Sequence, residues 1–116
     1  MSNATPYGRP EPTGAQRDET PPVDSGAVLA MLGDEYARAI LKAISAGPLP
    51  AREIAERLDL SRATVYRRLN RLESAGVVEA SVSYHPDGYH RKQFATDVDR
   101  LVLSIDADRI DVDRPA

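Results

Sequence analysis

The chain predicts an α+β domain, with a three-helix core, a β-hairpin and a further β extension at the C-terminal end. Three observations carry this prediction. Apolar residues recur at helical spacing in successive segments between residues 28 and 75. The period then changes to two: Val78, Ala80, Val82 and Tyr84 alternate with Glu79, Ser81 and Ser83. A turn signal, His85-Pro86-Asp87-Gly88-Tyr89, separates that run from a second strand-like run at His90–Thr96.

The 116 residues allow one domain. Hydrophobic residues make up 41%, an ordinary globular share, and no run approaches the roughly 20 apolar residues that span a bilayer. The N-terminal segment has no apolar h-region of a secretory signal. Cysteine is absent, which removes disulfides and thiolate metal sites and fits a reducing cytoplasm. Residues 1–26 hold five prolines among Gly, Ser, Thr and charged residues. Such a segment buries too little apolar surface to offset its ordering entropy, so a disordered tail is expected. The folded domain is then 27–96, and 97–116 is an acidic extension.

Each element has a local cause. Leu29, Leu32, Tyr36, Ile40 and Ile44 recur at helical spacing, and Leu41 widens the stripe. Ser25 is a candidate cap for its start. Gly33-Asp34 is a point where the helix can break, with Asp34 capping a second piece. Gly47-Pro48 stops it. A short second helix begins near Pro50, whose missing N–H costs little in a first turn. It buries Ile54 and Leu58, and Ala55 permits close approach. Asp59-Leu60 makes a tight turn, with Leu60 expected as a buried plug. Ser61 caps a third helix over roughly 62–75, with Val65, Leu69 and Leu72 as its apolar stripe and Gly76 as a left-handed C-terminal cap. In the hairpin that follows, Phe94 is expected to face the core. Beyond it Leu101, Leu103 and Ile105 alternate, as do Ile110 and Val112. Asp106-Ala107-Asp108 supplies a turn, so a second hairpin with an acidic outer face is predicted, in preference to a short helix.

A short helix, a tight turn, a longer capped helix and a hairpin in that order make a winged helix-turn-helix. In such a unit the second helix of the pair is shaped to enter the DNA major groove. The net charge of −3 argues against nucleic-acid binding as a sum, but its distribution argues for it. Residues 61–76 hold Arg62, Arg67, Arg68 and Arg71 against Glu73 alone, while the acids concentrate at the two ends of the chain. At about 100° per residue, Ala63, Arg67 and Asn70 fall opposite the Val65–Leu69–Leu72 stripe. Thr64 and Arg71 lie on one flank and Tyr66 on the other.

Each residue type has a use on that face. Arg67 can bond guanine O6 and N7 bidentately, Asn70 can do likewise with adenine, and Ala63 can touch a thymine methyl. Ser61, Thr64 and Tyr66 carry hydroxyls for phosphate or base, Arg62 and Arg71 reach toward the backbone, and Arg91 and Lys92 near the hairpin tip suit phosphates or the minor groove. Arg68 lies nearer the core edge and reads equally as an internal salt-bridge partner. The same arginines also occur on ordinary solvated helices; the surrounding helix-turn-helix and hairpin are what make the DNA reading specific.

AREIAERLDLSRATVYRRLNRLESAGVVEA, with its Ser61-x-x-Thr64-Val65-Tyr66-x-x-Leu69-x-x-Leu72-x-x-x-Gly76 pattern, resembles the helix-turn-helix of ArsR-type winged-helix regulators. LGDEYARAILKAI before it is similar to the preceding helix of archaeal, particularly haloarchaeal, members. The preference for Asp and Arg over Lys likewise resembles salt-adapted surfaces. The resemblance implies a DNA-binding repressor or activator, commonly a homodimer on a partly palindromic site, with Ser61, Arg62, Thr64, Tyr66 and Arg67 on DNA. Metal-sensing members use cysteine-rich ligands, which this chain lacks, and they often dimerise through terminal helices where this chain reads as strands. His85 and His90, even with Asp87, are too few for a closed tetrahedral site. No nucleophile–base–acid set and no Gly-rich phosphate loop is apparent. The expectation is therefore double-stranded DNA as partner, with no cofactor, metal, membrane association or catalysis. The alternative is a winged-helix protein-interaction module, in which the cationic face of the third helix would be buried or paired with acids.

Overall fold

The computed structural model describes residues 23–115 apart from 85, 87 and 89. Of the tail expected over residues 1–26, residues 1–22 lie outside them. Four helices and two hairpins follow in order: α1 (Ser25–Leu32), α2 (Glu35–Ile44), α3 (Ala51–Leu58), α4 (Arg62–Ser74), β1 (Glu79–Tyr84), β2 (His90–Ala95), β3 (Val102–Ile105) and β4 (Ile110–Asp113). This is the predicted α+β winged helix-turn-helix with a C-terminal β extension.

The first apolar segment is two helices. Asp24 caps α1, accepting from the Ala27 amide at 3.1 Å. Ser25, the residue expected to cap, is instead the first helical residue, so the ordered chain begins before residue 27. Asp34 caps α2 as anticipated, accepting from the Ala37 amide at 2.9 Å. The break between them shifts the helical phase. As a result Val28 and Met31 bury the inner face of α1, while Leu29 and Tyr36 of the expected stripe are exposed. Ala37, Ile40 and Ile44 carry the burial of α2.

Pro50 precedes α3 in extended conformation, so its absent N–H is one that no helical carbonyl would have met. Asp59 ends α3 in the left-handed region (φ 57°), and the Leu60 amide turns back to Ala55 O at 3.0 Å. Leu60 is half-buried at the core edge, less enclosed than a plug. Ser61 caps α4 through the Thr64 amide at 3.1 Å. At the other end Gly76 (φ 90°) donates to Glu73 O, and Val77 to Leu72 O. These two bonds form a Schellman motif, which needs a residue free of Cβ strain at position 76.

Val65, Leu69 and Leu72 of α4 meet Ile40, Ile44, Ile54 and Phe94 in one core. Phe94 is fully buried, and its amide and carbonyl both bond Leu49, at 2.8 and 3.0 Å. Truncating Phe94 to alanine would cost about 3–5 kcal/mol. β1 and β2 pair antiparallel with Ala80 opposite Phe94, Val82 opposite Lys92 and Tyr84 opposite His90. The strict alternation of β1 does not translate into burial along its whole length. Val82 is 49% and Tyr84 73% exposed, because the hairpin outruns the helices that would cover its inner face.

The C-terminal hairpin is present, with Leu103 opposite Val112 and Ile105 opposite Ile110. Its hydrogen bonds to α1 run through a single hydroxyl, beside the packing of Val112 into the core. Ser25 Oγ donates to Val112 O at 3.2 Å and accepts from Val112 N at 2.7 Å. Val112 is buried there, whereas every residue of β3 is exposed, which the alternation had not indicated. Arg114 closes the end of the chain against Gly76 O (3.1 Å) and Asp97 (3.0 Å).

Candidate nucleic-acid interface

α4 is held by its apolar stripe, so the residues opposite that stripe point outward. Arg62, Ala63, Tyr66, Arg67, Asn70 and Arg71 are exposed and Thr64 is half-buried. The cap engages both hydroxyls at the start of the helix. Ser61 Oγ accepts from the Thr64 amide and donates to Thr64 Oγ1 at 2.9 Å, which leaves the Thr64 hydroxyl proton free to point outward.

Arg68 turns the other way. Its Nε and a terminal nitrogen reach Asp34 at 3.1 and 3.4 Å, and its guanidinium lies 5.3 Å from the Tyr36 ring centroid. It is thus an internal partner that ties α4 to the cap of α2. The Arg68 hydrogen bond, followed by the Ala37 amide, holds the Asp34 carboxyl below the usual carboxylate range. Asp34 in turn raises Arg68.

A second feature joins three elements. An open groove is lined by Pro50, Ala51, Arg52, Arg62, Tyr66, Arg91 and Lys92. Its cations come from the start of α3, the start of α4 and β2. Tyr66 lies in its wall, edge-on to Phe94 with ring centroids 6.4 Å apart. Lys92 is anchored on the same aromatic, with Nζ 5.4 Å from the Phe94 centroid. Phe94 therefore sets the spacing between α4 and the wing from inside the core.

Arg62, Tyr66, Arg91 and Lys92 of the expected residues thus converge on this groove. Ala63 and Arg67 lie beside it on the outer face of α4. Asn70 and Arg71 do not join it; they border a separate groove with Ala27, Ala30, Met31 and Ser74, where α1 runs beside the C-terminal half of α4. Arg52 is the cation that sequence reasoning missed. It enters because Leu49, just before α3, pairs with Phe94 as a one-residue bridge and draws the start of α3 against the wing. The available signal was Leu49 itself, an apolar residue between two prolines and so biased to an extended backbone. His85 and Asp87 lie outside the described residues. Among those described, no group of three or more His, Cys, Asp or Glu side chains is placed to hold a metal ion. No described helix is long and apolar enough to cross a membrane.

Comparison with known proteins agrees with this geometry. Residues 32–80 match a family described as "Helix-turn-helix domain". No curated protein sequence is significantly similar to the chain. Among solved structures, the crystal structure of NolR from Sinorhizobium fredii is similar, with a TM-score of 0.52 and 14% sequence identity over 64% of this chain and 69% of that one. At that identity the likeness concerns the fold, and it supports the winged-helix arrangement.

Proposed function

We propose that this chain binds double-stranded DNA as a sequence-specific transcriptional regulator of the ArsR-like winged-helix kind. The N-terminal half of α4 enters the major groove. Arg67 reads base edges, with Ala63, Thr64 and Asn70 beside it, and Ser61 at the helix start lies against the backbone. The wing and the start of α3 hold the flanking phosphates through Arg52, Arg62, Arg91 and Lys92, while Tyr66 lines the groove between them and Arg71 meets phosphate farther along. The observation that carries this proposal is the cationic groove, which gathers side chains from three separate elements beside the outward face of α4 in a chain that is acidic overall. An interaction module would bury or neutralise that face. Of the α4 arginines, Arg68 pairs with Asp34, whereas Arg62, Arg67 and Arg71 are exposed. The proposal extends to two copies on a partly palindromic site and assigns the chain no catalysis.

Fluorescence anisotropy on genomic duplex fragments over a salt series tests it, with the native chain beside Arg67→Ala. The expected result is binding that weakens steeply with salt, and a variant that loses selectivity among sequences more than overall affinity. Absence of duplex binding at every salt concentration, including those a salt-adapted protein needs to fold, would overturn it.

A further inference from the structure

We propose that the inner face of the wing beyond the groove, formed by Val82, Tyr84 and His90, packs against the deoxyribose edges of the DNA backbone and supplies a share of the affinity that salt does not remove. The proposal rests on the DNA reading above and extends it to residues that grip no phosphate.

The strand register places these residues. Directly opposite residues of a hairpin share a face, and successive residues alternate between the two faces. Ala80 opposite Phe94, Val82 opposite Lys92 and Tyr84 opposite His90 therefore form one face of the wing. Its inner end belongs to the core, where Phe94 is buried and Ala80 half-buried. Its middle belongs to the cationic groove, which Lys92 lines. Its outer end stands clear of the helices. Val82, Tyr84 and His90 are all exposed, and Tyr84 is the most exposed large hydrophobic residue among those described. The face thus runs without a break from the core, through the groove, to an apolar and aromatic ridge.

That ridge has a fixed shape. The Tyr84 and His90 rings meet edge to face across the two strands, with centroids 4.6 Å apart and planes at 83°. Val82 lies on β1 between this pair and Ala80. Each ring holds the other in place without burying it, so little ordering remains to be done when a partner arrives.

The neighbours of the ridge define the chemistry of that partner. A duplex backbone alternates charged phosphates with sugars whose edges are apolar. This face alternates in the same way: Lys92 is a cation, and His90 follows two residues on, about 7 Å farther out at roughly 3.3 Å per residue. A backbone held at Lys92 therefore runs its adjoining sugars over Val82 and Tyr84. No acid stands on the face to repel the phosphates. Continuity with the groove favours DNA over an apolar protein segment, which would have to cover Lys92 as well. The contact also accounts for the alternation of β1, whose outer half gains its cover only on the duplex. Apolar burial releases no counterions, so it adds to affinity without steepening the salt dependence.

The test is anisotropy on one fixed duplex over a salt series, with the native full chain beside the double variant Val82→Thr, Tyr84→Thr. Threonine suits a strand, and circular dichroism reports whether the fold is kept. The expected result is a variant that binds about tenfold more weakly at every salt concentration, with the two log–log lines parallel. His90→Phe keeps the edge-on ring and should bind as the native chain does. A double variant that matches the native chain would overturn the proposal and leave the DNA reading standing, with the ridge then free for a protein partner. A gap that closes as salt rises, or a loss of affinity in His90→Phe, would make the contact ionic or hydrogen-bonded and overturn it as well. A native chain that binds no duplex would remove the proposal together with the reading on which it rests.

Discussion

Replacing Arg52 and Lys92 together by alanine probes the groove without touching the outward face of α4. Both side chains are exposed, and neither belongs to the buried core. They approach the groove from opposite sides, one from α3 and one from β2. If each neutralises one phosphate, each contributes roughly −0.9 to the slope of log affinity against log salt. Losing both makes the slope less steep by about 1.8. Over a fourfold rise in salt that is about a tenfold difference. The native chain should therefore lose about tenfold more affinity than the variant as salt rises from 50 to 200 mM, conditions chosen around the range in which such slopes are measured. The assay is anisotropy on one fixed duplex, with circular dichroism to confirm that the fold is unchanged. Preference among duplex sequences should be retained, since phosphate contacts position the protein and base contacts specify the site. An unchanged salt slope would refute the placement of DNA in this groove, whatever the variant's affinity at a single salt concentration.

Further outcomes follow from the same contacts. Asp34→Ala should cost about 1 kcal/mol of unfolding free energy by removing the cap of α2, whereas Asp34→Asn keeps the cap and loses the charge opposite Arg68; urea denaturation distinguishes the two. The Asp34 carboxyl is held below its ordinary range in the fold, so its contribution is complete above the unfolded value and is lost as pH falls through the folded one. The stability gap between the native chain and Asp34→Asn should accordingly narrow on acidification below the usual carboxylate range, and a gap independent of pH would contradict the pairing. Ser25→Ala leaves the amide and carbonyl of Val112 without their protein partner, at a cost of about 1–3 kcal/mol. Hydrogen exchange should quicken at Val112, with little change at Leu69 in the core of α4.

The helix-turn-helix was legible because each signal in it is local. Ser61 as a cap, Asp59 at a turn and Gly76 after the last helical residue fix α3 and α4 within a residue or two, and the apolar stripe orients α4 without tertiary information. The same holds for Asp34, whose cap was visible in sequence although its bond to Arg68 was not. What escaped depends on contacts between distant segments. Leu29 and Tyr36 fit a helical stripe, yet the break at Gly33-Asp34 rotates them outward. Val82 and Tyr84 alternate like a half-buried strand, but no described helix extends far enough to cover them. Arg52 reaches the candidate site through a one-residue bridge between Leu49 and Phe94, and no period in the sequence marks a bridge of that length. Asn70 lies on the outward arc of the helix, but α1 runs beside it and sets it in a separate groove.

The most direct test of the central claim is to follow backbone amide shifts while a short duplex, selected from random sequences by the native chain, is added. The account predicts that changes concentrate at residues 61–67, at Arg52, and at Arg91 and Lys92, with β3 and β4 little affected. Changes confined to α1 and the C-terminal hairpin, or no saturable change at all, would contradict it.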